Sequence, residues 1–164
     1  MRLFMNILEY AMQVEKEGEA QYREMAERSN NPGMKKILTE LADSEVEHYN
    51  VFHAIMENSN IPEIDEAILP NVKKIFSGMK ADNGLEVDAN EIDMFRNAQK
   101  HEKTAQEFYL QKAEEVDAPS LKKMLLKIAE EEGKHYQVLG GLIDFLSRPE
   151  QWLEDAEWHH IEDY

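Results

Sequence analysis

The chain has 164 residues, 42 % hydrophobic and 32 % charged, with 7 Gly, 5 Pro and no Cys, which is the composition of one globular domain with a real core. Its formal net charge of -16 repels phosphate backbones and anionic membranes, so a nucleic-acid or membrane-surface partner is not expected, while cations are attracted. The lack of Cys excludes disulfides, zinc-thiolate sites, iron–sulfur clusters and a thiol nucleophile within these residues.

In chain order, residues 3–29 are predicted as an amphipathic helix, with Ile7, Val14, Gly18, Tyr22, Met25 and Ala26 at helical spacing. The start, Met1 to Glu9, carries Asn6 and Glu9 within its apolar stretch, which makes it a poor signal peptide. No run is long enough to cross a membrane, and a cytoplasmic location is expected. Asn30-Asn31-Pro32 marks a stop and a restart, with Pro as a first helical residue. A second helix then runs to Asn58, with Ile37, Leu38, Leu41, Val46 and Phe52 among its apolar positions.

From Ser59 to Asp88 the pattern is broken by Pro62, Pro70, Gly78 and Gly84, so this stretch reads as a long connection with room for a short helix over 68–80. Asp88-Ala89-Asn90-Glu91 fits a capping box for a third helix that ends near Asp117-Ala118-Pro119. A fourth helix continues to Leu146. The tail from Arg148 to Tyr164, with Trp152, Leu153, Ala156, Trp158 and Ile161, is predicted as a short amphipathic helix packing on the rest. The expected organisation is therefore an all-α four-helix bundle over 1–147 with a tail helix over 148–164.

The two halves superimpose without a gap. Glu15 pairs with Glu102, Tyr22 with Tyr109, Pro32 with Pro119, Glu45 with Glu132, and His48 with His135, each at an offset of 87 (102 − 15, 135 − 48). Two helical segments share residues by composition alone, but not Pro, Tyr and His in register. The chain reads as two copies of a helical hairpin.

Glu45-Val46-Glu47-His48 and Glu132-Gly133-Lys134-His135 are both Glu-x-x-His motifs. Residues three apart share a helix face, so each pair can reach one point. Glu15 and His48 are equidistant from the Asn31-Pro32 turn, as Glu102 and His135 are from the Ala118-Pro119 turn. At about 1.5 Å per residue, each lies roughly 24 Å from its turn, so they share one level of the bundle. Glu15, Glu45, His48, Glu102, Glu132 and His135 are thus candidate metal ligands. Four buried carboxylates repel one another and are costly to desolvate, and two divalent cations offset both penalties. One Glu from each of two helices and Glu-x-x-His from each of the other two is the pattern of di-iron and di-manganese bundles. Such ligands suit two iron ions, with manganese or zinc as alternatives.

Tyr22 and Tyr109 each follow a lone Glu by seven residues on the same face, which fits either hydrogen bonding behind the metals or plain core packing. His53 and His101 read as ordinary helix residues, and His159 and His160 as exposed residues of the tail.

On Glu15 with Tyr22, Glu102 with Tyr109, the two Glu-x-x-His motifs and the tail around Arg148-Pro149-Glu150-Gln151-Trp152-Leu153, the chain resembles the rubrerythrin-like branch of the ferritin-like superfamily. The resemblance implies that Glu45 and Glu132 bridge two irons, that Glu15 and His48 serve one, that Glu102 and His135 serve the other, and that the long connection is the crossover of a ferritin-like bundle. It further implies redox catalysis by the four carboxylates and their metals: reduction of hydrogen peroxide or dioxygen with electrons from an external donor such as a rubredoxin-type protein. A homodimer is implied too. Ferrous oxidation with iron storage or handling is the alternative activity, and a metal-binding bundle without turnover is a third. Rubrerythrins carry a cysteine-ligated rubredoxin domain, and these Cys-free residues hold none. The family's additional Glu, three residues after the lone Glu of the third helix, is Ala105 here, and its repeat mate is Gly18.

Overall fold

Asn31 explains where the first turn falls. Its extended backbone leaves the preceding helix, its side-chain oxygen accepts a hydrogen bond from the Met34 amide at 2.9 Å, and Pro32 starts the next helix with a fixed φ. At the second turn only the proline recurs: Pro119 starts the next helix after Ala118, whose side chain has no oxygen to cap it. In the computed structural model, residues 2–79 and 89–147 are described, with side chains from residue 6 onward. The described residues form five helices and no strand: α1 (Arg2–Arg28), α2 (Pro32–Met56), α3 (Ile68–Gly78), α4 (Ala89–Glu115) and α5 (Pro119–Ser147). The predicted helices are found within a residue or two of their expected ends. The cap expected at Asp88 and the tail helix expected over 148–164 lie outside the described residues.

The four long helices form the expected ferritin-like bundle of two hairpins. α1 packs along α2, α4 packs along α5, and the hairpins meet through α1 with α4 and α2 with α5. The short helix in the connection is α3. It lays Ile68, Val72 and Phe76 across α2 and α5 at one end of the bundle. Ahead of it, the crossover is pinned to the bundle: Ile64 is buried, the Asp65 amide donates to Glu47 Oε2 at 2.8 Å, and Lys127 pairs with Glu66 at 3.2 Å. Glu47, an interior residue of the first Glu-x-x-His, therefore faces outward and holds the crossover.

Apolar side chains gather in two clusters. One contains Tyr22, Leu38, Leu41, Phe76, Phe95, Leu139 and Phe145, and includes the end covered by α3. The other contains Leu8, Phe52, Ile55, Tyr109, Leu121 and Leu125. All six predicted ligand positions fall between the two clusters along the helices. The core is thus split by a polar layer at mid-height, which is where the symmetry about the turns places it.

Candidate metal centre

Each long helix delivers its polar residues to this layer from one face. Glu15 comes from α1, Glu45 and His48 from α2, Glu102 from α4, and Glu132 and His135 from α5; all six are buried. The structure brings them into two overlapping groups. Ligand atoms of Glu15, Glu45, His48 and Glu132 lie within 4.8 Å of one another, and so do those of Glu45, Glu102, Glu132 and His135. Glu45 and Glu132 belong to both groups.

The contacts obey a pseudo-twofold relation between the hairpins. His48 Nδ1 lies 2.8 Å from Glu132 Oε1 and 3.5 Å from Glu15 Oε2. His135 Nδ1 lies 3.0 Å from Glu45 Oε1 and 3.6 Å from Glu102 Oε1. The rings stack 5.6 Å apart with planes 13° from parallel, and both turn Nδ1 toward the carboxylates and Nε2 toward Ser44. The same symmetry recurs outside the layer, where Lys16 sits over the Tyr49 ring at 5.2 Å and Lys103 over the Tyr136 ring at 5.7 Å. These duplicated cation–π pairs tie α1 to α2 and α4 to α5 one residue from the predicted ligands.

Tyr22 and Tyr109 hydrogen-bond and pack at once, and they do so crosswise. The Tyr22 hydroxyl donates to Glu102 at 2.6 Å, and the Tyr109 hydroxyl donates to Glu15 at 2.7 Å. Each therefore serves the lone Glu of the other hairpin rather than the one on its own helix. Burial, followed by the charge of Glu102 for Tyr22 and of Glu15 for Tyr109, pushes both phenols well above their ordinary range, so both remain donors. Replacing either Tyr by Phe is expected to destabilise the metal-free protein by about 1.5–3 kcal/mol, because a buried charged acceptor loses its donor. Urea unfolding measures this, and two variants within a few tenths of a kcal/mol of the parent would remove the hydroxyls from the account.

The carboxyls divide by environment. Burial, then the charges of Glu102, Glu132 and Glu15, pushes Glu45 well above the usual carboxyl range. Burial, then the charges of Glu102 and Glu15, does the same to Glu132. Burial also acts on Glu15 and Glu102, but it is outweighed. Hydrogen bonding with Glu45 and the charge of His48 hold Glu15 low, and hydrogen bonding with Glu132 and the charge of His135 hold Glu102 low. Burial disfavours a charged His48, yet the facing Glu15 charge raises its pKa overall. Without metal, burial and the neighbouring carboxylate charges favour the protonated form of the shared pair, Glu45 and Glu132.

Apart from protons shared between carboxyls, the layer offers too few donors. Glu15 Oε2, Glu102 Oε2 and Glu132 Oε2 are buried without a hydrogen-bond partner. Unsatisfied carboxylate oxygens converging with two imidazole nitrogens fit a metal, and an oxygen-and-imidazole donor set without thiolate suits iron or manganese.

Three residues in or beside this layer had no assigned role from sequence. Ser44 Oγ lies 2.9 Å from His135 Nε2 and 3.4 Å from His48 Nε2, behind both rings. Glu131 is buried, pairs with Lys134 Nζ at 2.7 Å through Oε1, and leaves Oε2 without a partner. His101, read as an ordinary helix residue, has its Nε2 buried and unpartnered. A Cβ at Gly18 would stand 3.0 Å from Glu45 Oε2 and 3.3 Å from that His101 nitrogen, so the glycine lets carboxylate and imidazole approach the α1 backbone. The register comparison held a signal for Ser44 and Glu131, because they occupy the same repeat position with different chemistry.

Among the described residues, no helix is long and apolar enough to cross a membrane. No curated protein and no solved structure matches the chain. The Rubrerythrin family model matches residues 6–143, a span that contains most of both hairpins, the crossover and all six predicted ligands. With the duplicated Glu-x-x-His hairpins folded into one buried carboxylate–imidazole layer, that match establishes the chain as a member of the rubrerythrin family.

Proposed function

We propose that this protein is a non-haem di-iron redox protein that reduces hydrogen peroxide or dioxygen with electrons from an external donor. The observation that carries the reading is the pair of overlapping ligand groups that share Glu45 and Glu132. Under it, Glu45 and Glu132 would be shared by the two ions, Glu15 and His48 would hold one, and Glu102 and His135 would hold the other. Bound as iron, the pair supplies two electrons per turnover, enough with two protons to convert one hydrogen peroxide to two waters. Manganese or zinc fits the same donors, but zinc has no redox couple to offer.

The chain's own residues do the rest. The carboxylates balance the charge of the oxidised pair. Tyr22 and Tyr109 hold Glu102 and Glu15 in place through short hydrogen bonds and keep their protons while doing so. The apolar clusters above and below exclude bulk water, so the electrostatics of the layer act at low dielectric. Ala105, small and buried in an apolar cluster, brings no carboxylate to the position where the family carries its additional Glu. A separate small redox protein as donor and a homodimeric assembly belong to the same proposal.

The test is stopped-flow mixing of the ferrous protein, prepared without oxygen, with hydrogen peroxide and separately with dioxygen. Oxidation of both irons within seconds, followed by re-reduction and a second turnover, is expected. A ferrous protein inert to both oxidants rejects the proposal. Uptake of hundreds of irons per chain as mineral would replace it with iron storage.

A further inference from the structure

The apolar clusters seal the carboxylate–imidazole layer above and below, and at its own level the seal depends on the four seams between neighbouring long helices. Between α1 and α2 the Lys16 ammonium covers the Tyr49 ring, and between α4 and α5 Lys103 covers Tyr136. Between α2 and α5 the crossover acts as a strap: Glu47 accepts from the Asp65 amide, and Lys134 reaches the Glu66 carbonyl while pairing with Glu131. The seam between α1 and α4 is built differently. There the backbone of Gly18 meets the half-buried ring of His101, whose Nε2 is buried without a hydrogen-bond partner. Glu45 turns Oε1 to His135 and Oε2 to this seam. Its Oε2 and the His101 Nε2 lie 3.0 and 3.3 Å from the point that a Cβ on Gly18 would occupy, yet no hydrogen bond joins them.

A buried nitrogen left unpaired is costly, so no polar contact of Nε2 holds the His101 ring closed. The ring is part of the surface, and turning it outward returns Nε2 to water and opens a way to Glu45, which is otherwise 1 % exposed. A small molecule entering there meets an imidazole nitrogen and a carboxyl oxygen that face one point. Hydrogen peroxide both donates and accepts hydrogen bonds, so it can pair with either tautomer of His101 and with Glu45 protonated or ionised. A carboxylate oxygen that reaches a metal through one lone pair keeps another for such a bond. Dioxygen has no proton to donate and accepts weakly. We infer that the α1/α4 seam at Gly18 is the entry port of the layer, and that His101 is a substrate-binding residue which, with Glu45, takes up hydrogen peroxide there in preference to dioxygen. The inference deepens the redox reading above and rests on it for the fate of the peroxide, though not for its binding.

Ring-nitrogen NMR of the metal-free protein, isotope-labelled in its histidines and titrated with hydrogen peroxide, tests the port without any metal. The His101 Nε2 signal is expected to move and saturate, while the signals of the exposed His53 drift only in proportion to the peroxide added. In Gly18→Ala the added Cβ takes the meeting point, and the His101 response should fall to that of His53. Stopped-flow oxidation of the ferrous protein gives the second readout. His101→Leu, similar in size, should slow the reaction with peroxide by about tenfold, the worth of one hydrogen bond, and leave the reaction with dioxygen within about threefold. His101→Gln, which keeps a donor and an acceptor, should recover most of the loss. A His101 signal in the parent protein that responds no more than His53, or a leucine variant that slows both oxidants alike, overturns the inference and leaves the di-iron reading standing. A saturating His101 response in a protein whose ferrous form ignores both oxidants upholds the port and rejects the redox reading.

Discussion

Replacing Glu45 or Glu132 by Gln is expected to empty both metal positions, whereas replacing Glu15 or Glu102 by Gln empties one. The reason is the shared membership: Glu45 and Glu132 supply atoms to both ligand groups, while Glu15 and Glu102 each supply atoms to one. Metal analysis after dialysis against dilute ferrous or manganous ion should therefore read no ions for the shared pair, one for the outer pair and two for the parent. For the shared pair, Glu45 and Glu132, the same substitution should have the opposite effect on the metal-free fold. Glu45 sits among three other carboxyls and is pushed well above its ordinary range by burial and their charges. Relieving such a buried, mutually repelling group with a neutral side chain of the same volume is expected to stabilise the metal-free protein by about 1–4 kcal/mol. A Glu45→Gln protein that still binds two ions, or that is less stable than the parent without metal, contradicts this assignment.

Chelation is expected to lower the unfolding temperature sharply, and by more at higher pH. Each ion bound only by the folded state contributes about 4 kcal/mol when its free concentration is a thousandfold above its dissociation constant. For a domain of this size about 1 kcal/mol corresponds to 2–4 °C, so removal of two ions should cost on the order of 15–30 °C. The pH dependence follows from the carboxyls. Glu45 and Glu132 have raised values in the folded metal-free protein, so the stability they contribute is present below the ordinary carboxyl value of 4.5 and is lost as pH rises through the raised values. His48 acts in the same direction above its ordinary 6.5. Glu15 and Glu102 act in the opposite sense: their contribution is present above 4.5 and is lost as pH falls through their lowered values. The metal-free protein should therefore be most stable at mildly acidic pH and weaken toward alkaline pH. Under the proposed di-metal reading, metal would replace protons on the shared pair, so the gap between the two forms should widen as pH rises. Calorimetry of both forms across that range checks it, and a gap that narrows toward alkaline pH would refute the proton-sharing arrangement.

The parts of this architecture that repeat were legible in the sequence. Pro32 and Pro119 in register locate the turns, and the turns place Glu15 opposite His48 and Glu102 opposite His135. The short helix α3 was legible as well, although the clusters it covers were not, because Ile68, Val72 and Phe76 pack on helices distant in the chain. The residues that sequence missed share one cause. Ser44 meets His135 across 91 positions, and no spacing rule marks a contact between two hairpins. Tyr22 and Tyr109 were placed on the right face, but the partner that each one reaches is set by how the hairpins pair, and that pairing sends each hydroxyl across the bundle. His101 looked ordinary because its neighbours on α4 are polar. Its buried nitrogen becomes visible only once Gly18 brings the α1 backbone against it.

The position of the metals tests the account most directly. Crystals of the protein loaded with manganese or iron, measured at the absorption edge of that metal, locate each ion by its anomalous scattering. Two peaks inside the bundle are expected, both within bonding distance of Glu45 and Glu132, one beside Glu15 and His48 Nδ1 and the other beside Glu102 and His135 Nδ1. A single peak, peaks confined to the acidic surface, or coordination through Nε2 of either histidine would contradict the shared-carboxylate centre.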